Sequence, residues 1–464
     1  MSRDRRISHV HHDVVVVGGG SAGVAAALAS AKTGAKTLLI DAGPMVGGEL
    51  LSGLPINSMI SARGEWVVGG MARELVDECA RLGGYVGHFF DWRSLWLVCI
   101  DPEIMKLAVV NLLHRYGVAV WMYTVADDVV MEGNTVKGLV VLSRGRRFLL
   151  TADAYLDCSG DGDVAVAAGA PFESGGRGGA YQPVSMIFRL VGVESEPFLR
   201  FVRDHPENVA LGELPLIDVD KATCAQRLYE QGYPKAFFDG RGPLLAEGFA
   251  SGEIAETGLL AIVPVSTPRK EVSINTTRVP LDATQADALS AAMPVLLDQV
   301  WRSVAFLQRR VPGFENAAFS GIAPRIGIRE TRRIMGRGVL TQDDVLEARK
   351  SDRGIGKGAH ELDIHGGGRE HTRLMLKDGG SYDIPFDCLV PDGVSNLLVA
   401  GRCISATREA MGSSRVMGSC MSTGHAAGAA AAMARVGGIP ASEVDVAALR
   451  DVLRTQGAIL DGTY

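Results

Sequence analysis

The stretch Val14-Val-Val-Val-Gly-Gly-Gly-Ser-Ala-Gly23 decides the fold. The β-branched apolar run from Asp13 to Val17 reads as a buried parallel strand. Gly18, Gly20 and Gly23 follow in G-x-G-x-x-G spacing, and Ala22 to Lys32 read as a helix of small residues. Thr37 to Ile40 read as a second strand that ends at Asp41. Strand, glycines, helix, strand and acid in this order make a complete dinucleotide-binding β-α-β unit. Gly18 permits the tight turn, Gly20 lets the backbone approach a pyrophosphate, and Gly23 lets the helix pack close to the strand. The helix start at Ser21 and Ala22 offers free N–H groups and a partial positive charge to the phosphates. Asp41, followed by Ala42, is placed to accept hydrogen bonds from ribose hydroxyls. The motif by itself does not separate FAD from a nicotinamide dinucleotide.

Around this unit lies a chain of 464 residues, long enough for two domains or for one large domain carrying an insertion. Lys+Arg number 47 against Asp+Glu 53, a net charge of -6 that gives no global field for nucleic acid. Arg144-Gly-Arg-Arg147 reads as a solvated loop. The 7 cysteines are scattered without a Cys-x-x-Cys pair, so they read as reduced, buried thiols, and no metal site is expected. The N-terminus is polar, no apolar run is long enough to span a bilayer, and a cytoplasmic protein is expected.

Three further segments extend the first motif. In Gly43-Pro-Met-Val-Gly-Gly-Glu-Leu-Leu-Ser-Gly-Leu-Pro55 the paired glycines again indicate close backbone approach. Ala154-Tyr-Leu-Asp-Cys-Ser-Gly-Asp-Gly-Asp-Val164 reads on its own as a strand ending in an Asp/Gly turn. Finally, Tyr382 to Arg402 contains a buried strand at Leu397 to Ala400, after which Gly401 and Arg402 turn out, and a helix of Ala and Gly runs from Ser419 to Arg435.

On these segments the chain resembles the FAD-dependent oxidoreductase family within the glutathione-reductase-type flavoproteins, related at a distance to the succinate dehydrogenase and fumarate reductase flavoproteins. The likeness covers most of the chain and is weakest from about residue 195 to 260. It implies that Gly47, Gly48 and Glu49 run along the flavin, and that Gly160 and Asp161 lie beside the cofactor. Cys158-Ser159 stands there where the family reads Ala-Thr. It implies cofactor contacts for Gly401, Arg402 and Arg415, and for Val125 on a strand near Trp121 to Val125 that meets the adenine. Gly418 and Ser419 are implied at the pyrimidine edge, where N–H donors and a helix dipole stabilise the charge of the reduced flavin. No histidine lies within the early glycine motifs, so non-covalent FAD is expected.

The expected fold is α/β: a Rossmann-like, three-layer FAD-binding domain, discontinuous over residues 8–170 and 325–464, with an inserted mixed α+β substrate domain over 171–324. The insertion opens at the glycine-rich Pro171 to Gly179. It holds strand-like runs at Val184–Leu190 and Val272–Asn275, and a helix over Val295 to Arg310 with Trp301, Val304 and Leu307 on its apolar side. The active site is expected between the two domains.

A flavin enzyme asks its protein for orientation, proton transfer and charge stabilisation. Within the hallmark Ile328 to Gly336, Arg329 and Glu330 read either as an ion pair or as a grip on a substrate carboxylate. In Leu362-Asp-Ile-His365, His365 is a candidate acid or base, whereas His371 reads as part of a polar loop. Arg408 stands where the family commonly has histidine, which removes one base and points to an anionic substrate. The aromatics of Tyr85 to Trp96 either pack a core or wall a pocket.

The leading expectation is two-electron dehydrogenation or oxidation of a small polar substrate, hydroxylated or anionic. A flavin-dependent reductase of an activated C=C bond and a non-catalytic flavin protein are the alternatives. A tRNA-modifying role is disfavoured by the acidic balance. The electron acceptor is left open between oxygen, a quinone and a carrier protein. A homo-oligomer is compatible with this reading.

Overall fold

A computed structural model describes residues 7–464, so the start of the polar N-terminal segment lies outside the described residues. Its central sheet has five parallel strands in the order Leu397–Val399, Ala154–Asp157, Val14–Val17, Thr37–Ile40, Ala119–Trp121. Every residue of Val14–Val17, Thr37–Ile40 and Ala154–Asp157 is buried, as strands covered on both faces require. The helices Ser21–Lys32 and Met417–Gly437 pack on this sheet and on each other. A Cβ on Gly424 would lie 2.1 Å from the Ala22 carbonyl oxygen, and one on Gly428 2.0 Å from that of Ala26. The small-residue composition of the closing helix thus sets how near the two helices come.

A four-stranded sheet, in the order Ser8–His11, Arg146–Thr151, Thr135–Ser143, Thr124–Glu132, shares the same core through Val136, Leu139, Val141 and Leu150. A separate hydrophobic cluster lies under an antiparallel sheet in the order Ala236–Asp239, Leu259–Ser266, Glu271–Asn275, Phe188–Val191, Ala318–Ile322. The long helix Ala286–Arg310 packs Leu296, Val300, Val304 and Leu307 into that cluster.

Several expectations shift. The long helix starts at Ala286, runs through Pro294, and leaves Trp301 66% exposed against Phe319. Its buried stripe recurs every three or four residues through Val300, Val304 and Leu307, and position 301 falls off that stripe. The run from Val184 gives isolated bridges at Val184 and Ser185 before a regular strand at Phe188–Val191. The strand expected to reach Val125 breaks at Tyr123, which has φ 53°, so Val125 belongs to Thr124–Glu132 instead. His371 lies on a strand, His371–Leu374, not in a loop. Arg144, at φ 50°, turns the loop, whereas Arg147 lies on the strand Arg146–Thr151 and pairs with Asp127. All seven cysteines are buried and free. Among the described residues no helix is long and apolar enough to cross a membrane.

Candidate active site

The parallel strands end on one side of the sheet, where ligands of open α/β sheets bind. The turns that leave them there, at Gly18, Asp41 and Ser159, line a cavity of about 340 Å³ together with Ala42, Gly48 and Arg325. Val125 and Asp161 reach the same cavity. Gly18 has φ 96°, and a Cβ on it would lie 2.4 Å from the Cys158 carbonyl oxygen, so the turn admits no side chain. A Cβ on Gly48, at φ 55°, would lie 2.8 Å from Gly20 Cα. Gly47 donates its N–H to the Gly19 carbonyl at 2.6 Å, which ties the two glycine turns together. Gly20, Ser21, Ala22 and Gly23 form the turn and helix start behind the cavity wall.

Asp41 accepts from Gly19 N and Gly43 N, both at 2.6 Å, so its carboxylate is fixed between the turns. A second acid, Asp157, organises the other side. Buried at the end of its strand, it accepts from Ser159 N and Oγ, Val164 N and Ala165 N. Those four bonds hold the Gly160–Asp161 turn, where Asp161 pairs with Arg402 at 2.8 Å and accepts from Thr331 Oγ1 at 2.7 Å. Gly401 packs on Ala22 behind this pair. A cradle that a Cβ would fill, a fixed acceptor and a guanidinium in the wall fit the adenosine and pyrophosphate of a dinucleotide.

A second cavity, of about 160 Å³, is lined by Glu49, Asn57, Arg329, Asp363, His365 and Arg415. Val416 and Met417, at the start of the closing helix, also face it. Gly418 and Ser419 do not: Gly418 N donates to Asn57 O at 3.1 Å, and Ser419 Oγ lies 2.9 Å from Ser58 Oγ. They fasten the loop 57–59 to the helix. Burial raises the Glu49 carboxyl above its ordinary range against the opposing pull of Arg325, Arg402 and Arg329. The aromatics of Tyr85 to Trp96 lie apart from this cavity and mostly pack on one another.

At the end of the second cavity the strands Leu362–His365 and His371–Leu374 form a hairpin that sets His365 directly opposite His371. Their rings stack at 4.4 Å with 12° between planes. Asp363 accepts from both: Oδ2 lies 3.1 Å from His365 Nε2 and Oδ1 lies 2.5 Å from His371 Nε2. Burial opposes the Asp363 charge, but the two imidazoles outweigh it and hold its carboxyl well below the usual range. Burial pushes His365 well below the ordinary histidine range, Arg329 and Arg278 add to the shift, and Asp363 opposes it. With Nε2 bonded to Asp363, a neutral His365 presents Nδ1 as an acceptor. These three side chains have the spacing of a metal site. The guanidiniums that surround them disfavour a cation there.

The expected Arg329–Glu330 ion pair is not formed. Arg329 donates to Pro183 O at 2.6 Å and Ser185 Oγ at 2.7 Å. Glu330 instead accepts from Arg408 at 2.7 and 3.0 Å, from Arg333 at 3.3 Å and from Gln182 N at 2.9 Å. Arg408 therefore lies across a buried carboxylate rather than in the second cavity, while Arg329, His365 and Arg415 are brought together there. Residues that the sequence reading set aside or passed over also gather at this site. Asp363 and His371 arrive through the hairpin, and Arg278 arrives from the second sheet region, donating to the same Ser185 Oγ at 2.9 Å. The Gly366-Gly-Gly368 turn between two short alternating runs is the signal that would have revealed the hairpin.

Solved structures similar to this chain include a geranylgeranyl bacteriochlorophyll reductase-like protein from Thermoplasma acidophilum, with 14% identity over 97% of this chain and 83% of that one and a TM-score of 0.44. The flavin-dependent brominase Bmp2 matches with 14% identity over 96% and 83%, at a TM-score of 0.45. A p-nitrophenol 4-monooxygenase from Pseudomonas putida matches with 11% identity over 97% and 84%, at a TM-score of 0.43. The family model described as FAD dependent oxidoreductase matches residues 13–453, and the chain belongs to that family, with FAD as its cofactor.

Proposed function

We propose that the chain oxidises a small polar donor bearing a hydroxyl or amino group, with FAD as the electron acceptor and the second cavity as the reaction site. The observation that carries this reading is the Asp363–His365 pair at the end of a cavity that begins at the closing helix. FAD, when bound, takes a hydrogen with its electron pair from the donor carbon. The rest falls to the chain. His365 Nδ1 accepts the proton of the donor hydroxyl, or of the amino group, as the C=O or C=N bond forms. Asp363 fixes the ring and stabilises its protonated form, and His371 holds the other carboxylate oxygen. Glu330 with Arg408 and Arg333 props the wall between Gln182 and the hallmark segment.

The same reading keeps the likeness to glutathione-reductase-type flavoproteins and assigns the cofactor to residues 8–170 and 325–464, with 171–324 as the substrate domain. Its support is the division of the hydrophobic residues into two separate main clusters along those lines. FAD is held without a covalent bond in this account, in keeping with glycine turns at 18–23 and 43–55 that contain no histidine.

The test is anaerobic. FAD-loaded protein is mixed with a panel of small alcohols, amines and hydroxy acids, and the flavin absorbance is followed. Bleaching by one class of donor supports the reading. No bleaching by any donor, with colour lost instead to NADH and restored by an enoate, would establish the reverse reaction and overturn it.

A further inference from the structure

Two guanidiniums, Arg329 and Arg415, line the second cavity, and a third, Arg278, lines the adjoining cavity that shares Asp363 and His365 with it. Arg278, Arg329 and Arg415 are each near-buried, and the Asp363 carboxylate acts on all three. That carboxylate already serves two imidazoles, and its Oδ2 lies 3.9 Å from Arg415 Nη2. Among the described residues neither Arg278 nor Arg329 has a carboxylate partner. Arg278 bonds Ser185 Oγ, Asn275 Oδ1 and Thr277 O, and Arg329 bonds Pro183 O and Ser185 Oγ.

All of those bonds leave through Nη1. Among the described residues the Nε and Nη2 edge of these two guanidiniums, the two-pronged edge that fits a carboxylate, has no protein acceptor. Arg415 differs: its Nη2 donates to Asp363 O and Gln182 Oε1, and its Nε is buried without a partner. Gln182, itself buried, has an unpartnered Nε2 beside it. Buried cations and orphaned donors are costly unless a ligand completes them.

We infer that the substrate is a small carboxylate, gripped through the unpartnered edges of Arg278 and Arg329, with Arg415 and Gln182 supplying further donors. The inference rests on the second cavity being the reaction site. It narrows the substrate class to acids whose oxidisable carbon lies within reach of His365. A carboxylate here would offset part of the mutual repulsion of the guanidiniums, and would fix the donor carbon by two parallel hydrogen bonds.

The experiment titrates FAD-loaded protein with acetate, malonate and oxalate, each against its neutral amide (acetamide, malonamide, oxamide), and follows the perturbation of the flavin spectrum. At least one carboxylate is expected to saturate, binding about 30-fold more tightly than its amide, because the amide leaves a guanidinium unpaired. Arg278→Gln and Arg329→Gln are each expected to lose that preference while retaining FAD. Where a Gln variant fails to fold, Arg278→Lys or Arg329→Lys keeps the charge but lacks the planar edge, and about tenfold weaker binding is expected. Equal binding of acid and amide, binding of neither, undiminished carboxylate binding in the Lys variants, or loss of FAD rather than of the carboxylate preference would each overturn the inference. Donor-driven bleaching is read separately, so a protein oxidising neutral alcohols without any preference for acids sinks this inference and leaves the proposed reaction standing.

Discussion

Glu330 is one buried carboxylate serving two guanidiniums, and that fixes what Arg408 does. Replacing Arg408 with Ala leaves Glu330 dependent on Arg333 and on Gln182 N. A loss of about 2 kcal/mol in urea unfolding is expected, since uncompensated buried charge is expensive, with a fall in turnover that follows the loss of folded protein. A large drop in kcat at unchanged stability would return Arg408 to the substrate. His365 behaves differently. His365→Ala is expected to lower turnover by about 100-fold or more with FAD still bound, the usual contribution of a positioned base. The pH profile follows from the direction of its shift. Burial and Arg329 hold the ring below the ordinary histidine range, so it is neutral throughout neutral pH. Turnover should stay level as pH falls through the normal histidine range and decline only in more acid solution. A decline centred on the ordinary histidine value would contradict the burial argument.

At the scale of elements, the closing helix and the first helix meet through glycine. Gly424→Ala places a methyl against the Ala22 carbonyl, and Gly428→Ala does the same at Ala26. Each is expected to cost about 1–3 kcal/mol through overpacking and to weaken FAD retention, because the helix start lines the second cavity. Gly437→Ala, whose nearest neighbour would be Ile439 at 3.5 Å, is the control and should be close to neutral in thermal unfolding. The same scale explains what could be read in the sequence. The first β-α-β unit is contiguous, so its glycines, its strands and Asp41 are all visible as a local pattern. The second cavity is assembled from pieces far apart in the chain, among them Glu49, Arg329, Asp363 and Arg415, with Arg278 beside them. His371 gains its meaning only when the hairpin puts it across from His365. Arg329 and Glu330 are neighbours in sequence but point apart, one to Ser185 and the other to Arg408, which no spacing rule reveals.

Across the whole molecule, His425 links three elements. It sits on the closing helix, meets Gln456 at 2.8 Å, and Gln456 in turn donates to Thr33 at the end of the first helix. Burial pushes its pKa down to about 4 from the ordinary 6.5. The unfolded chain therefore binds a proton that the folded chain refuses between those values. Stability is fully present above pH 6.5 and falls as pH drops toward 4, by about 3 kcal/mol from this residue. Urea midpoints measured across that window should fall in the natural protein and fall less in His425→Gln. Equal slopes would place the acid sensitivity elsewhere.

In the proposed reaction the protein's own acid–base pair, at the end of the cavity that starts from the closing helix, serves oxidation by bound FAD. The most direct test is anaerobic rapid mixing of FAD-loaded natural protein and His365→Ala with whichever donor bleaches the flavin. The account predicts bleaching in the natural protein and a rate about 100-fold lower in the variant, with flavin content unchanged. Equal bleaching rates in the two proteins would contradict it.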